Sequence, residues 1–304
     1  MPKHVAPILF LIFNRADTTK LVFEQIRKQK PGKLFIASDG PREGKSAEIA
    51  AVQEIREFVL ANIDWGCEVK TLFRDNNLGC GRAIHSAINW FFEQVSHGII
   101  LEDDCLPDPQ FFSFCTELLE YYADYQDIFE ITGTNLQGKN IRGDGSYYFS
   151  SYGGIWGWAT WARAWKKYDF DMSGLSEFID QNKMGEIFPE ADQQKFWNFT
   201  LPSAKKLDTW DYQWLYTIWK NNGLCIVPNA NLITNIGFNS QGTHTQKTPD
   251  WYLDLTANSV PLPALKHPSD VKISRQADKF QFDNSIRINK STRLKRLVKR
   301  IFSK

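Results

Sequence analysis

Residues 98–104 read Gly-Ile-Ile-Leu-Glu-Asp-Asp, so three carboxylates follow directly on a short apolar run. Adjacent carboxylates repel one another, and such a group at the end of a buried strand indicates either a compensating cation or a solvated acidic turn. Hard oxygen ligands suit Mg²⁺ or Mn²⁺, which bind one or two protein carboxylates and complete their shell with oxygens such as those of phosphates. Glu102, Asp103 and Asp104 are therefore candidate site residues.

The same order, an apolar run followed by polar residues, repeats through the first 130 residues. Apolar runs alternate with amphipathic stretches, which predicts an α/β fold with a mainly parallel sheet covered by helices on both faces. The predicted strands are Ile8–Phe13, Lys33–Ser38, Glu68–Phe73, Gly98–Leu101 and Ile128–Ile131. The predicted helices are Asp17–Gln29, Ser46–Ala61, Gly81–Val95 and Pro109–Tyr122. In such sheets ligands bind beyond the carboxyl ends of the strands.

Polar residues follow the first two predicted strands at this same edge. Phe13, Asn14 and Arg15 end the first strand, and Asp39 ends the second. An arginine can bind phosphate through two parallel hydrogen bonds, and an aspartate there can accept from a pyrimidine N–H. Each group alone is equally compatible with a helix cap or a surface ion pair.

A glycine-containing segment, residues 76–82, opens the third predicted helix. Its glycines permit a close backbone approach, and a helix N-terminus attracts anions. The segment has neither the Gly-Lys-Ser/Thr of a P-loop nor the G-x-G-x-x-G of a dinucleotide site. Gly81, Arg82 and His85 are the candidate residues of this helix.

From about residue 135 the alternation ends, and no internal repeat or linker divides the chain. The segments that follow are a Gly-rich loop at 138–145, an aromatic block at 147–165, a helical region at 192–222 and an Asn-rich segment at 229–248. Within the helical region Asp211 stands between Trp210 and Tyr212, and partial desolvation by aromatic rings raises the pKa of a carboxyl toward that of a general base. The alternative is a helix start capped by Asp208, with Trp210 and Trp214 packed one turn apart.

Composition excludes several classes of protein. The 304 residues are 42% hydrophobic and 14% aromatic, which excludes a disordered chain. Five cysteines without a C-x-x-C indicate a reducing compartment rather than a disulfide framework. Residues 5–13 are predicted to form a buried strand rather than a signal peptide, and no apolar run approaches the ~20 residues of a membrane span. Eleven tryptophans suit either sugar rings or an aromatic core.

Charge is distributed unevenly along the chain. Residues 284–304 hold eight basic residues and no acid, which leaves 28 basic against 35 acidic residues in the rest. A net charge of +1 argues against a nucleic-acid partner. Apolar residues recur at helical spacing from Leu294 to Phe302, with basic residues between them. This C-terminal amphipathic helix, residues 289–304, predicts contact with an anionic membrane surface; the alternative is a terminal helix packed on the acidic body.

Taken together, the motifs resemble those of glycosyltransferases with the GT-A (Rossmann-like) fold. The resemblance is strongest to the N-acetylglucosaminyltransferase I-like group and weaker to the family 2 transferases of bacterial polysaccharide synthesis. The matching segments span about residues 5–245 in the family's order. They are FNR at 13–15, SDG at 38–40, the helix at 81–87, LEDDCLPDPQFF at 101–112, GGIWGWATWARAW at 153–165, TWDYQW at 209–214 and a late Gly-Thr-His at 242–244.

The resemblance implies a metal-dependent inverting transferase that moves a sugar from a UDP-sugar to a saccharide acceptor. The basic tail alone adds the hypothesis that this acceptor is lipid-linked. Phe13, Asn14, Arg15, Asp39, Gly81, Arg82, His85 and Asp103 would bind the nucleotide. Glu102, Trp156, Trp158, Trp210 and His244 would contact the sugars. Asp104 would ligate Mn²⁺ or Mg²⁺, and Asp211 would be the catalytic base.

The change of pattern near residue 135 and the basic tail indicate how one continuous domain is divided. Residues 1–134 would form the nucleotide-sugar-binding half, 135–283 the acceptor and sugar-binding half, and 284–304 the basic tail. The protein would work in the cytoplasm, peripherally on the cytoplasmic face of the membrane. Two rivals stay open: a sugar-nucleotide nucleotidyltransferase, which usually needs a Gly-rich basic loop after the first strand, and a non-catalytic carbohydrate-binding protein.

Overall fold

The computed structural model describes residues 5–238, 249–256 and 264–287. The strands are β1 (Ile8–Ile12), β2 (Lys33–Ser38), β3 (Glu68–Phe73), β4 (His97–Glu102), β5 (Cys105–Pro107), β6 (Ile128–Thr132), β7 (Tyr147–Ser150), β8 (Trp158–Trp161), β9 (Leu224–Pro228) and β10 (Ile233–Asn235). The helices are α1 (Ala16–Gln29), α2 (Ser46–Ala61), α3 (Cys80–Phe92), α4 (Pro109–Tyr121), α5 (Ala162–Trp165), α6 (Leu175–Asp180), α7 (Lys183–Ile187), α8 (Ala191–Ala204), α9 (Asp211–Lys220), α10 (Asp250–Thr256) and α11 (Arg275–Gln281), which continues into a π-helical turn (Phe282–Ile286).

The first half of the chain forms the parallel part of the sheet. Strands β3, β2, β1 and β4 lie side by side, and their register places Phe10 of β1 between Ile36 of β2 and Leu101 of β4. All five predicted strands and all four predicted helices of this half are confirmed, with ends that differ by at most three residues. The carboxyl ends of four neighbouring strands therefore meet at one edge.

The second half completes the same sheet rather than forming a separate one. Strand β8 inserts antiparallel between β4 and β6, β9 runs parallel to β6, and β7 closes the edge antiparallel to β9. A small second sheet pairs β10 with β5. The eight-stranded sheet is thus mainly parallel and belongs to a single α/β domain, as the sequence predicts.

Two apolar layers cover the sheet because the strands of its centre are buried on both faces. Alternate residues of β1 enter opposite layers: Ile8 and Phe10 pack with α1 and α4, whereas Leu9 and Leu11 pack with α3 and the aromatic residues of the second half. The second layer holds most of the buried tryptophans. A continuous core of this kind holds the strand ends, and hence the polar residues that follow them, in fixed positions.

Two predictions concern segments outside the described residues. His244 and the amphipathic tail at 289–304 both lie there. Within the described ranges, no helix has the length and apolar character required to cross a membrane.

Candidate active site

An arginine and three carboxylates meet where β1 and β4 end. The Arg15 guanidinium donates through Nη1 to Asp104 Oδ2 at 2.6 Å, and the same nitrogen lies 3.8 Å from Asp103 Oδ1. The backbone N–H of Phe13 donates to Asp103 Oδ2 at 3.2 Å. The carbonyl of Arg15 accepts from the N–H and hydroxyl of Thr19 in α1, which fixes the backbone beneath the guanidinium.

Burial and the neighbouring negative charges raise the pKa values of Glu102 and Asp103. Burial first, and then the neighbouring charges of Asp104 and Asp103, raise the pKa of Glu102 well above its usual range. Burial and Asp104 raise the pKa of Asp103 to about 7, against the opposing effect of Arg15. Although Glu102 keeps some exposed surface, its Oε1 is buried and finds no hydrogen-bond partner among the described residues. One buried carboxyl oxygen at the ends of β1 and β4 therefore lacks a hydrogen-bond donor among the described residues.

Asp39 is held at the end of β2 by the loop that leads into α3. The backbone N–H of Leu78 donates to both of its carboxylate oxygens, at 3.1 and 2.9 Å. Burial raises the pKa of Asp39, and the Leu78 hydrogen bond opposes that shift. Gly40 is required next to it, because a Cβ there would lie 2.5 Å from the backbone of Asn76. The structure therefore brings Asp39 to the same sheet edge as Arg15, as predicted from the strand ends.

The side chains of Asn14 and Phe13 contact residues outside this group. Asn14 donates to Glu48 of α2 at 3.3 Å, and Phe13 lies under the guanidinium of Arg42 at 5.6 Å. Arg82 is exposed on α3.

The N-terminus of α3 already holds an anion of the chain itself. Asp208 accepts from the N–H groups of Cys80 and Gly81, at 2.9 and 2.8 Å. Gly79 and Gly81 allow this approach, since a Cβ at Gly79 would lie 2.6 Å from Asp208 Oδ2 and one at Gly81 would lie 2.8 Å from the carbonyl of Thr209. The expectation that these glycines admit a ligand anion is therefore corrected: the approaching group is Asp208. Asp208 therefore caps α3 and not α9, the helix that follows it in the sequence.

His85 lies one turn further along α3, against aromatic rings. It stacks on Phe170 at 5.0 Å, lies tilted against Tyr168 at 5.1 Å, and its Nε2 is 2.9 Å from the Asn89 amide. Burial lowers the pKa of this imidazole. These contacts give His85 a packing role, and its predicted part in nucleotide binding stays a prediction.

Asp211 begins α9 beside the carboxylate group. Its Oδ1 accepts from the Thr209 hydroxyl, and its charge is near enough to contribute to the raised pKa of Glu102. Because both oxygens of Asp208 are engaged at α3, Asp211 is the carboxylate of this segment that faces the other acids.

Of the three predicted sugar-contacting tryptophans, two are core residues. Trp158 and Trp210 are 0% and 2% exposed and stack on each other at 5.6 Å, so neither offers a face to a ligand in this structure. Trp156 is half-buried and lies near Phe238 and parallel to Trp251, with ring centroids 5.6 and 6.5 Å away.

Two features of the site were missed from the sequence. Gly237 passes directly over Asp104: a Cβ there would lie 2.1 Å from Asp104 Oδ2. Trp251 and Tyr252 of α10 pack against Trp156, although they are some 95 residues from it in the chain. The Asn-rich composition of 229–248 marked this region, but no pattern in it indicated a contact with Asp104.

A buried carboxyl beneath the aromatic block was also missed. Glu130 of β6, 1% exposed, accepts from the N–H of Gly154 at 2.6 Å and from Trp214 Nε1 at 2.7 Å. Burial raises its pKa to about 7. In the sequence Glu130 is one polar residue within an apolar strand, and nothing there indicates a buried carboxyl that accepts two hydrogen bonds.

The carboxylates do not form a complete metal cage of protein ligands. Among the described residues, no group of three or more Asp, Glu, His or Cys side chains is arranged to hold an ion. The donor set does fit a cation that takes one protein carboxylate and completes its shell with phosphate oxygens, because Asp104 is a hard oxygen donor beside the unpartnered Glu102 Oε1.

Comparison with solved structures gives partial, low-identity overlaps. The inositol-1-phosphate CTP transferase of T. maritima is 10% identical, with a TM-score of 0.40, over 74% of this chain and 86% of that one. A UDP-glucose pyrophosphorylase complexed with UDP-glucose is 12% identical, with a TM-score of 0.36, over 73% and 90%. The glycosyltransferase GlyE of Streptococcus pneumoniae TIGR4 is 9% identical, with a TM-score of 0.35, over 73% and 45%.

These overlaps carry no function to the chain. No protein-family model matches the sequence, and no curated protein matches it at a significant level.

Proposed function

We propose that this chain is an inverting glycosyltransferase that uses a UDP-sugar as donor and a saccharide as acceptor. The observation that carries the proposal is the group formed by Arg15, Glu102, Asp103 and Asp104 at the carboxyl ends of two parallel strands, with Asp211 beside it. A lectin has no need of such a cation–carboxylate group, and a nucleotidyltransferase would be expected to carry a Gly-rich basic loop after β1 where this chain has Asn14 and Arg15.

The donor would lie across the ends of β1, β2 and β4. Arg15 would bind the diphosphate and stabilise the charge that builds on it as the sugar departs. Asp39, fixed by the Leu78 N–H, would accept from the uracil N–H. Asp103 and Glu102 would contact the ribose and the sugar. Their raised pKa values would allow these carboxyls to donate as well as accept hydrogen bonds.

Asp104 is proposed to hold Mn²⁺ or Mg²⁺. When bound, such an ion supplies further neutralisation of the diphosphate. Arg15 contacts the same carboxylate, so donor binding would require the guanidinium and the cation to share Asp104 or the arginine to turn toward the phosphates.

Asp211 is proposed as the base. It would take the proton from the acceptor hydroxyl while that oxygen attacks the anomeric carbon opposite the leaving diphosphate, which inverts the configuration. The step corresponds to the base half of an inverting glycosidase, with a sugar hydroxyl in place of water. Trp156 and the neighbouring rings of α10 would form a wall for a sugar.

The setting of the reaction is proposed from the sequence alone. The basic tail at 289–304 would hold the enzyme on the cytoplasmic face of an anionic membrane, where a lipid-linked saccharide of bacterial surface polysaccharide synthesis would be the acceptor.

Calorimetric titration with UDP, with and without Mn²⁺, tests the donor assignment, and a panel of UDP-sugars then identifies the substrate by donor hydrolysis. We expect UDP to bind more tightly with Mn²⁺. Absence of UDP binding under both conditions contradicts the proposal and favours a carbohydrate-binding protein. Release of pyrophosphate from UTP and a sugar phosphate would identify a nucleotidyltransferase instead.

Asp211→Asn tests the base. Turnover should fall about 10²–10⁴-fold, the usual contribution of a general base, while UDP binding stays unchanged. The matched control is Asp192→Asn, which makes the same substitution in the first turn of α8 at an exposed site. Equal turnover in the two variants would remove Asp211 from the mechanism.

A further inference from the structure

A cavity of about 440 Å³ lies between the loop at 138–145 and helix α11. Its volume is in the range of small-ligand sites. The residues that give it a chemical character are Arg142, Glu190, Gln276, Lys279, Phe280 and Asn284. None of them belongs to the candidate active site.

Arg142 is a buried cation in this cavity without a carboxylate partner. The residue is 7% exposed, and among the described residues no acid lies within ion-pair distance of its guanidinium. Its Nε donates to Gln137 Oε1 at 2.9 Å, and its guanidinium lies 5.4 Å from the ring of Phe280. The basic neighbour Lys279 is already paired with Asp283 at 2.7 Å.

Arg163 shows how this chain satisfies a partly buried guanidinium that needs no ligand. Its Nε, Nη1 and Nη2 donate to the carbonyls of Ala123, Ile128 and Tyr122, at 3.0, 2.9 and 3.1 Å. Among the described residues, the Arg142 guanidinium has one acceptor, the Gln137 Oε1 on its Nε. Its Nη1 and Nη2 are not among the buried atoms that lack a hydrogen-bond partner, so both are open to the cavity, where a bound oxyanion would accept from them.

Outside the described residues, the sequence offers little to neutralise Arg142. Residues 1–4, 239–248, 257–263 and 288–304 contain no Asp or Glu, so outside the described side chains the chain holds one acid, Asp254. The position of Arg142 is also well fixed: its N–H donates to Asn229 Oδ1 at 2.9 Å, and its carbonyl accepts from Asn229 Nδ2 at 2.8 Å.

We propose that this cavity binds an oxyanion, the carboxylate or phosphate of a small polar ligand such as a charged sugar, through Arg142. The guanidinium matches the planar pair of oxygens that both groups present. The amides of Gln276 and Asn284 and the ring of Phe280 would contact the rest of the ligand. The site does not depend on the proposed transferase activity.

Thermal unfolding in inorganic phosphate, against chloride at equal ionic strength, tests the site. At a concentration near 100 times the dissociation constant, phosphate should raise the Tm of the wild type by roughly 5 °C. Arg142→Gln should lose this rise and, without phosphate, melt close to the wild type, because the guanidinium makes a single hydrogen bond to the described residues. Arg163→Gln should melt lower in both buffers and keep the rise. Arg15→Gln should also keep it, which separates this cavity from a phosphate bound in the active site.

The proposal is overturned if phosphate raises the Tm of Arg142→Gln as much as that of the wild type, whether or not the variant melts lower than the wild type. Should Arg142→Gln not fold, Glu190→Gln serves instead: removing this negative charge from the cavity should tighten phosphate binding several-fold, and unchanged affinity is the contrary result. Calorimetry with glucose 1-phosphate, glucuronate and neutral glucose then distinguishes phosphate from carboxylate. Equal binding of glucose would also count against the anion site.

Discussion

Gly237→Ala tests whether the segment over Asp104 sets the position of that carboxylate. A Cβ at residue 237 would lie 2.1 Å from Asp104 Oδ2 and 2.7 Å from its Cγ, whereas ordinary contacts begin near 3.4 Å. The carboxylate and the segment must therefore separate by about 1 Å, a distance at which the 2.6 Å hydrogen bond from Arg15 is lost. A charge-assisted hydrogen bond contributes about 1.5–3 kcal/mol, and a misplacement of ~1 Å costs a site about 10²-fold in rate.

The assay is turnover of the UDP-sugar together with UDP affinity measured calorimetrically. Gly66→Ala is the control, since no atom lies within 4 Å of a Cβ at that position. We expect kcat/KM of Gly237→Ala to fall about 10²-fold relative to the control. If the kcat/KM values of the two variants lie within twofold of each other, the backbone at residue 237 moves and the Asp104 carboxylate stays in place. That result would refute the idea that Gly237 is required for the geometry of Asp104.

Three further changes test the cation, a buried carboxyl and the tail. Asp104→Asn should weaken Mn²⁺-dependent UDP-sugar binding tenfold or more, measured by titration; unchanged binding removes Asp104 as a ligand. Because the pKa of Glu130 is raised from 4.5 to about 7, the folded state holds a proton that the unfolded chain releases, so the free energy of unfolding falls by roughly 3 kcal/mol as pH rises across that range. Urea unfolding of Glu130→Gln should lack that part of the slope, and identical slopes contradict it. Deleting residues 289–304 should abolish cosedimentation with anionic vesicles at low salt; full-length protein that stays in the supernatant contradicts the membrane prediction.

The parallel half of the fold could be predicted because its signals are local. β2, for example, is an apolar run bounded by Gly32 and Asp39, and α2 runs from Ser46 to Ala61 in both the prediction and the structure. Strands β7 and β8 carry no such signal, whereas β9 is an apolar run that follows Gly223 and was not predicted. β8 consists of Trp158–Trp161, all buried, so it shows no alternation of polar and apolar residues and reads only as an aromatic block.

The candidate site divides in the same way. The residues that follow strands, Arg15, Asp39 and Asp104, could be found because strand ends are visible in the sequence. The contact of Asp208 with Gly81 joins residues 127 apart, and nothing near either residue indicates it. The core position of Trp158 was also invisible, because a tryptophan that packs and one that binds sugar have the same local sequence.

The insertion of β8 between β4 and β6 has a consequence for the order in which the chain acquires structure. During synthesis β6 is complete well before β8 and β9, the strands with which it pairs, so it must wait for segments 26 and 92 residues further on. Until then the edge of β4 is also unpaired, and unpaired edges are prone to association. Assembly of the nascent chain should therefore be late and cooperative, with many contacts between distant segments. A gene fragment that ends at residue 134 should give an aggregating polypeptide, whereas the two fragments made together have complementary edges through which they can recombine.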